Sequence, residues 1–339
     1  MSENYQEVKG GEPLDSDVHD ADGSWDGAAD DEFDGSEGFG DAFGEAEDDG
    51  DGDGGGPLVE DGFEMPIHGG STIEMVDGFD EARAMTEGLG AEVVPVDPTL
   101  NALPRSCDLE FGGESPESVC GRDDRVHVKA VTRIPWRYIC QLIITLKDGR
   151  RSRCTGWFIS PRTVMTAGHC VYSHSAGGWA KSIEVIPGMN GALRPFGSAV
   201  GRSFYSVKGW TKNRKPNYDY GCIILPKSKP LGKKTGWFGF ASLGSSQLKR
   251  LLVNNSGYAG DKAFGTQWYN AGRITKISSR KLYYMLDTFG GHSGSPVWRY
   301  RSGKRHAVGV HAYGGCPNSS TRINSPVFKN MKSWKAKGA

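Results

Sequence analysis

The chain is 339 residues long, enough for two domains with a real hydrophobic core. Its formal charge of −1 hides a division: residues 1–117 carry 34 acidic residues against three basic ones (Lys9, Arg83, Arg105), a net −31, and residues 118–339 carry 37 Lys and Arg against seven acids, a net +30. No stretch reaches the apolar length of a membrane span, so no membrane partner is expected.

In chain order, residues 1–62 are rich in Asp, Glu and Gly with isolated Phe and Trp, a composition that buries too little apolar surface to fold alone and predicts disorder. Within it, residues 49–60 match a calcium-loop pattern (Asp49, Asp51, Asp53, Gly54, Glu60). The flanking helices such a loop needs are missing, and Gly56 and Pro57 spoil its apolar position, so chance matching explains the tract. Residues 63–117 are less polar (Ile67, Ile73, Met75, Val76, Val93, Val94, Val96), which allows some order. An acidic stretch of this kind can be a solubilising tail, but opposite charges of this size attract each other. The expected arrangement is a detachable segment, 1–117, that covers and neutralises a basic domain, 118–339.

From about 128 onward, short apolar runs (138–146, 183–186, 222–225, 307–310) alternate with Gly, Pro, Asn and Ser, the texture of an all-β sandwich or barrel. A helix is predicted only at the C-terminus, with Ser325 as cap and Pro326 in the first turn before 327–335. The amino terminus, MSENYQE, lacks the basic and apolar regions of a secretory signal. The basic half nevertheless holds six of the seven cysteines (Cys120, Cys140, Cys154, Cys170, Cys222, Cys316; Cys107 lies outside it), an even set that predicts disulfides and an oxidising, extracellular location by an undetermined export route.

Two motifs carry the chemistry. The stretch 154–170, CTGWFISPRTVMTAGHC, reads as strand, turn, strand and then a histidine, His169, and a Cys154–Cys170 bridge would close the hairpin beside it, adding about 3 kcal/mol in the chain-entropy account. The stretch 287–296, DTFGGHSGSP, offers Ser293 among glycines. A serine is inert until a base takes its proton and donors await the oxyanion. His169 is the candidate base, and the N–H groups of Gly291 and Ser293 are the candidate donors. Only Glu184, Asp219, Asp261 and Asp287 lie between His169 and Ser293 as candidates to orient the imidazole. Asp219, in Asn-Tyr-Asp-Tyr-Gly at the mouth of an apolar strand, is preferred by elimination and context, giving the order His169, Asp219, Ser293. No zinc spacing appears among the cysteines and histidines, and neither a metal nor a cofactor is expected.

The segments SVCGRDDR (118–125), 154–172, NYDYG (217–221), GYAGDKAFGTQW (257–268) and 287–297 together resemble the chymotrypsin-like serine proteases, and among them the bacterial glutamyl endopeptidases. The resemblance spans 118–339 and not 1–117. It implies two packed antiparallel β-barrels with the site in the cleft between them, acting on proteins or peptides. It further implies recognition of a substrate carboxylate by His311, in Val-His-Ala-Tyr-Gly-Gly, aided by the Thr288 hydroxyl. Asp287, six residues before Ser293, supports the alternative of Arg/Lys selection. His292 stands where digestive members carry an aspartate that captures the new amino terminus, so activation must work differently. The bond between Glu117 and Ser118 is itself a glutamyl bond at the expected start of the mature chain, and self-processing is expected there. A rival class is a basic module binding nucleic acid or an acidic polysaccharide through Lys and Arg with Trp157, Trp210, Trp237 and Trp268, but the apolar surroundings of these tryptophans suit a core better. The partners expected are therefore substrates and the chain's own acidic segment, with no nucleic acid, and the chain is expected to be a monomer.

Overall fold

The computed structural model of the chain describes residues 7–10, 57–61, 70–79, 105, 110 and 119–339. Two large sheets dominate. In the first, the strands run in the order Glu7–Gly10, Ser203–Val207, Gly221–Ile224, Thr163–Thr166, Arg151–Phe158, Ile139–Thr145, Ser182–Pro187 and Ala199–Gly201, each antiparallel to the next. In the second, Pro296–Arg301, Leu252–Gly257, Trp268–Ile277, Lys281–Tyr284, Asn318–Arg322 and Lys304–Tyr313 close on themselves, because the last of these also pairs with the first. A short strand, Gly239–Ser242, joins this barrel in parallel, a departure from the all-antiparallel expectation.

Strand Ile139–Thr145 shows how the sequence builds the cores. Its side chains alternate in direction, so Cys140, Leu142 and Ile144 enter one apolar cluster with Cys154, Phe158, Val164, Ile183 and Ile223. Ile139 and Ile143 enter a second cluster with residues of both sheets, including Trp157, Met165 and Trp298, and with Trp334 of the C-terminal helix. Both faces are covered, which is why the strand reads as a continuous apolar run rather than an alternating one. Each fully buried Ile or Leu contributes roughly 1.5–3 kcal/mol. A third cluster, with Leu282, Tyr284, Leu286, Val297 and Val308, fills the closed barrel. The site loops are thus carried on elements packed from both sides.

The structure corrects several details. The C-terminal helix, Ser325–Lys337, is capped by Asn324 rather than Ser325, because the Asn324 Oδ1 accepts the Val327 N–H at 3.2 Å. Of the six cysteines expected to pair, Cys154–Cys170 and Cys120–Cys316 do, while Cys140 and Cys222 form no disulfide and are buried side chains filling the cores. Within 1–62, where composition predicts disorder, Glu7–Gly10 and Leu58–Val59 are strands, since each finds a sheet edge to supply the backbone hydrogen bonds the segment cannot make alone. Glu60, the last ligand of the calcium-like pattern, pairs with Lys335 instead. Cys107, most of the 49–60 tract and the bond between Glu117 and Ser118 lie outside the described residues. Trp157 and Trp210 are fully buried and unable to stack on bases, whereas Trp237 is 39% exposed and Trp268 is partly buried.

Candidate active site

Strand Thr163–Thr166 gives way to a single helical turn, Gly168–Val171, that carries His169. The Cys154–Cys170 bridge ties this turn back to strand Arg151–Phe158. Asp219 follows the short helix Pro216–Tyr218 and precedes strand Gly221–Ile224, so both its neighbours are fixed. Its carboxylate grips the histidine twice: Oδ1 accepts the His169 backbone N–H at 2.9 Å, and Oδ2 lies 2.8 Å from Nδ1. From behind, the Thr321 hydroxyl donates to the Asp219 carbonyl at 3.1 Å. Both acid and imidazole are completely buried. Burial by itself would raise the Asp219 carboxyl, but the imidazole and backbone N–H of His169 outweigh it and hold the group below its ordinary value. An ionised Asp219 keeps the His169 proton on Nδ1, which makes Nε2 the basic nitrogen.

The serine loop is strapped to both sheets. Thr155 N–H donates to Ser293 O at 3.0 Å, Gly294 N–H donates to His311 O at 2.7 Å, and His311 N–H donates to Ser295 O at 2.9 Å. Cys170 Sγ lies 3.9 Å from Ser293 O, so the histidine turn and the serine loop touch. Gly291 sits at φ +105°, a conformation that favours glycine, and a Cβ there would lie 2.5 Å from Tyr258 O. The Gly290 carbonyl accepts from Gly260 N–H at 2.6 Å and the His292 carbonyl from Ser295 N–H at 2.8 Å. A trans peptide turns its N–H away from its carbonyl, so these bonds fix the directions of the Gly291 and Ser293 N–H groups. Such a pair can receive a developing oxyanion.

Around this loop lie the residues expected to select substrate. His311 is completely buried, and its Nδ1 lies 2.7 Å from the Tyr284 hydroxyl. Burial, with help from the Lys281 ammonium and His169, pushes the His311 imidazole down to about 3, so it is neutral at ordinary pH. The Thr288 hydroxyl is buried with no hydrogen-bond partner among the described residues. Asp287 is occupied elsewhere: Oδ1 accepts Cys120 N–H at 2.8 Å and Oδ2 accepts Asp124 N–H at 2.7 Å. Burial nevertheless raises its carboxyl to about 6. His292 is a buried imidazole with neither ring nitrogen hydrogen-bonded among the described residues, held neutral by burial and the nearby Arg125. Arg125 instead bridges Asp123 and Asp261, pinning the 123–125 segment to the loop beside Gly260.

Two N-terminal residues that motif reading passed over also reach the site. The Arg105 side chain lies against Gly260 and Gly290, where an added Cβ would come within 2.4 and 2.5 Å of its Cδ, and its guanidinium stands 4.9 Å from the centre of the Phe289 ring. Glu110 is 2% exposed and accepts from the Ser173 hydroxyl at 2.7 Å and from Ser175 N–H at 3.2 Å, while Arg214 donates to its carbonyl at 2.7 Å. Thr155 lies inside the 154–170 motif, yet nothing in the motif signals its role of aligning the Gly291 carbonyl through a 2.8 Å hydroxyl bond, and Tyr284 sits in no motif at all.

A histidine held by a buried carboxylate, on a turn that touches a glycine-framed serine loop between two β-cores, is the construction of a chymotrypsin-like serine endopeptidase. A family model described as Trypsin matches residues 126–334, and the chain belongs to that family. A glutamyl endopeptidase of Bacillus licheniformis is 42% identical over 230 residues, covering 65% of this chain and 70% of that protein. A protein of Bacillus subtilis (strain 168) named extracellular metalloprotease is 41% identical over 222 residues, with the same coverage of 65% and 70%. Among solved structures, a Glu endopeptidase in complex with MPD matches with a TM-score of 0.58 and 29% identity, over 64% of this chain and 99% of that one. The metal implied by the second name does not fit here. Among the described residues, the clustered potential ligands are Cys154, His169 and Cys170, and the two sulfurs are bonded to each other rather than available as thiolates.

Proposed function

We propose that the chain is a glutamyl endopeptidase made as a zymogen, with 118–339 as its catalytic domain and 1–117 as an acidic pro-segment. In this reading His169 Nε2 takes the proton of Ser293 Oγ as the hydroxyl attacks the scissile carbonyl. Asp219 holds the imidazole and stabilises its cation, the N–H groups of Gly291 and Ser293 receive the oxyanion, and His169 then returns the proton to the leaving amine. Water repeats the sequence to release the acyl group. His311 and Thr288 contact the substrate's acidic side chain.

The observation that carries the specificity is the contrast between His311 and Asp287. The histidine is bound by its backbone to Gly294 and Ser295, the two residues that follow Ser293, whereas both Asp287 oxygens already accept backbone N–H groups. An arginine or lysine side chain would have to compete with those bonds. Enzyme matured from the full chain should cleave a Glu-anilide far faster than an Arg-anilide; an Arg preference would instead establish Asp287 as the determinant.

The zymogen reading draws support from the charge division and from burial: His169 and Ser293 have no exposed surface, with Arg105 on the serine loop and Glu110 on the loop after His169. The two disulfides support an extracellular setting. Ser293→Ala should abolish processing between Glu117 and Ser118 in pure preparations. Mature protein beginning at Ser118 in that variant would exclude self-processing.

A further inference from the structure

The Tyr284 hydroxyl and His311 Nδ1 form a buried pair that the reaction itself does not use. Both side chains are completely buried, with ring centroids 6.0 Å apart and the oxygen 2.7 Å from the nitrogen. Tyr284 stands on strand Lys281–Tyr284, rooted in the apolar cluster of the closed barrel with Leu282, Leu286 and Val297. Its ring is therefore fixed, and the histidine backbone is fixed by the serine loop. We propose that Tyr284 is the positioning residue of substrate selection: by donating its O–H to His311 Nδ1 it places the imidazole proton on Nε2, making that nitrogen a donor suited to an acidic side chain. The inference rests on the glutamyl reading and deepens it.

The direction of the bond follows from acid–base chemistry. A phenol is a stronger acid than a neutral imidazole N–H, and an imidazole nitrogen is a stronger base than a phenol oxygen, so O–H···N is favoured over N–H···O. His311 carries one ring proton because burial keeps it neutral, and an Nδ1 that accepts must leave that proton on Nε2. The consequence for selection is a matter of sign. An Nε2–H donor bonds a carboxylate more strongly than an amide, because hydrogen bonds to a charged acceptor are about twice as strong. A bare Nε2 would repel the carboxylate and accept instead from the amide N–H of glutamine. Tyr284 thereby decides which of two nearly isosteric side chains the site prefers.

The test compares Tyr284→Phe with the parent, each matured from the full chain, on Glu- and Gln-anilides of identical sequence. The Glu-over-Gln ratio of kcat/KM should fall at least tenfold, mainly through a raised KM for the Glu substrate. Nitrogen NMR of the full-length Ser293→Ala protein, with His311 signals assigned by their loss in His311→Gln, reads the tautomer directly. The parent should show an unprotonated Nδ1 and a protonated Nε2, and adding Tyr284→Phe should mix the two forms. A protonated Nδ1 in the parent, or a ratio unchanged within twofold in an enzyme that does prefer Glu, overturns the proposal. A parent with no Glu preference overturns the glutamyl reading beneath it, so the two failures are distinguishable.

Discussion

Asp219 concentrates the electrostatics of the site in one residue. It is fully buried, yet two hydrogen bonds from His169 keep it ionised. Asn in its place preserves the shape but offers an N–H where Nδ1–H must find an acceptor, so the imidazole is driven to the wrong tautomer. Asp219→Asn should lower kcat by about 10⁴-fold, and slow labelling by a fluorophosphonate at Ser293 should track the loss. Asp287 makes the opposite case, a carboxyl whose burial raises it from 3.8 to about 6. Between those values the folded chain binds more protons than the unfolded one, so stability falls as pH rises and the loss is complete above pH 6. The difference is worth up to roughly 3 kcal/mol. In urea unfolding of the Ser293→Ala protein, Asp287→Asn should flatten the decline in stability between pH 4 and 7; an unchanged slope would place the titration on another group.

At the scale of elements, the C-terminal helix offers a clean test. Asn324 caps it through a side-chain bond to Val327 N–H, and the helix buries Val327, Phe328, Met331 and Trp334. Asn324→Ala should destabilise the protein by about 1 kcal/mol, measured as a lowered urea midpoint with unchanged slope, whereas Ser325→Ala should cost less than half of that. The cap was misassigned by one residue because Asn and Ser are both good caps and only backbone geometry separates them. Other features were legible because local chemistry was unambiguous: the apolar run that becomes the buried strand 139–145, the hairpin closed by Cys154 and Cys170, and the His169–Asp219 pair, reached by elimination in a domain with few acids. The Cys120–Cys316 bridge spans 196 residues, a pairing only the closed fold can dictate. Tyr284 was hidden for the same reason: strand Lys281–Tyr284 meets His311 only through the barrel.

At the scale of the whole molecule, ion pairs join described residues of the acidic segment to the basic half, and these contacts differ in depth. The Asp61–Lys304 pair is exposed, whereas Glu74 is 4% exposed, bonds Arg305 at 2.6 and 2.8 Å and accepts from the Trp298 indole at 3.1 Å. At 1 M salt the screening length is about 3 Å, which weakens the exposed pair and leaves the buried one largely intact. If Arg105 and Glu110 block the site through such buried contacts, salt should not open it, but removing the contacts should. The comparison is made in full-length protein with Glu117→Gln to prevent self-processing, following fluorophosphonate labelling of Ser293. Labelling of the parent should stay slow from 50 mM to 1 M salt, and Arg105→Ala with Glu110→Ala should accelerate it at least tenfold at either salt. Acceleration by salt alone would mean that long-range attraction, not the two anchors, keeps the segment in place. Labelling of the unprocessed parent as fast as that of the matured enzyme would show that the acidic segment does not cover the site at all.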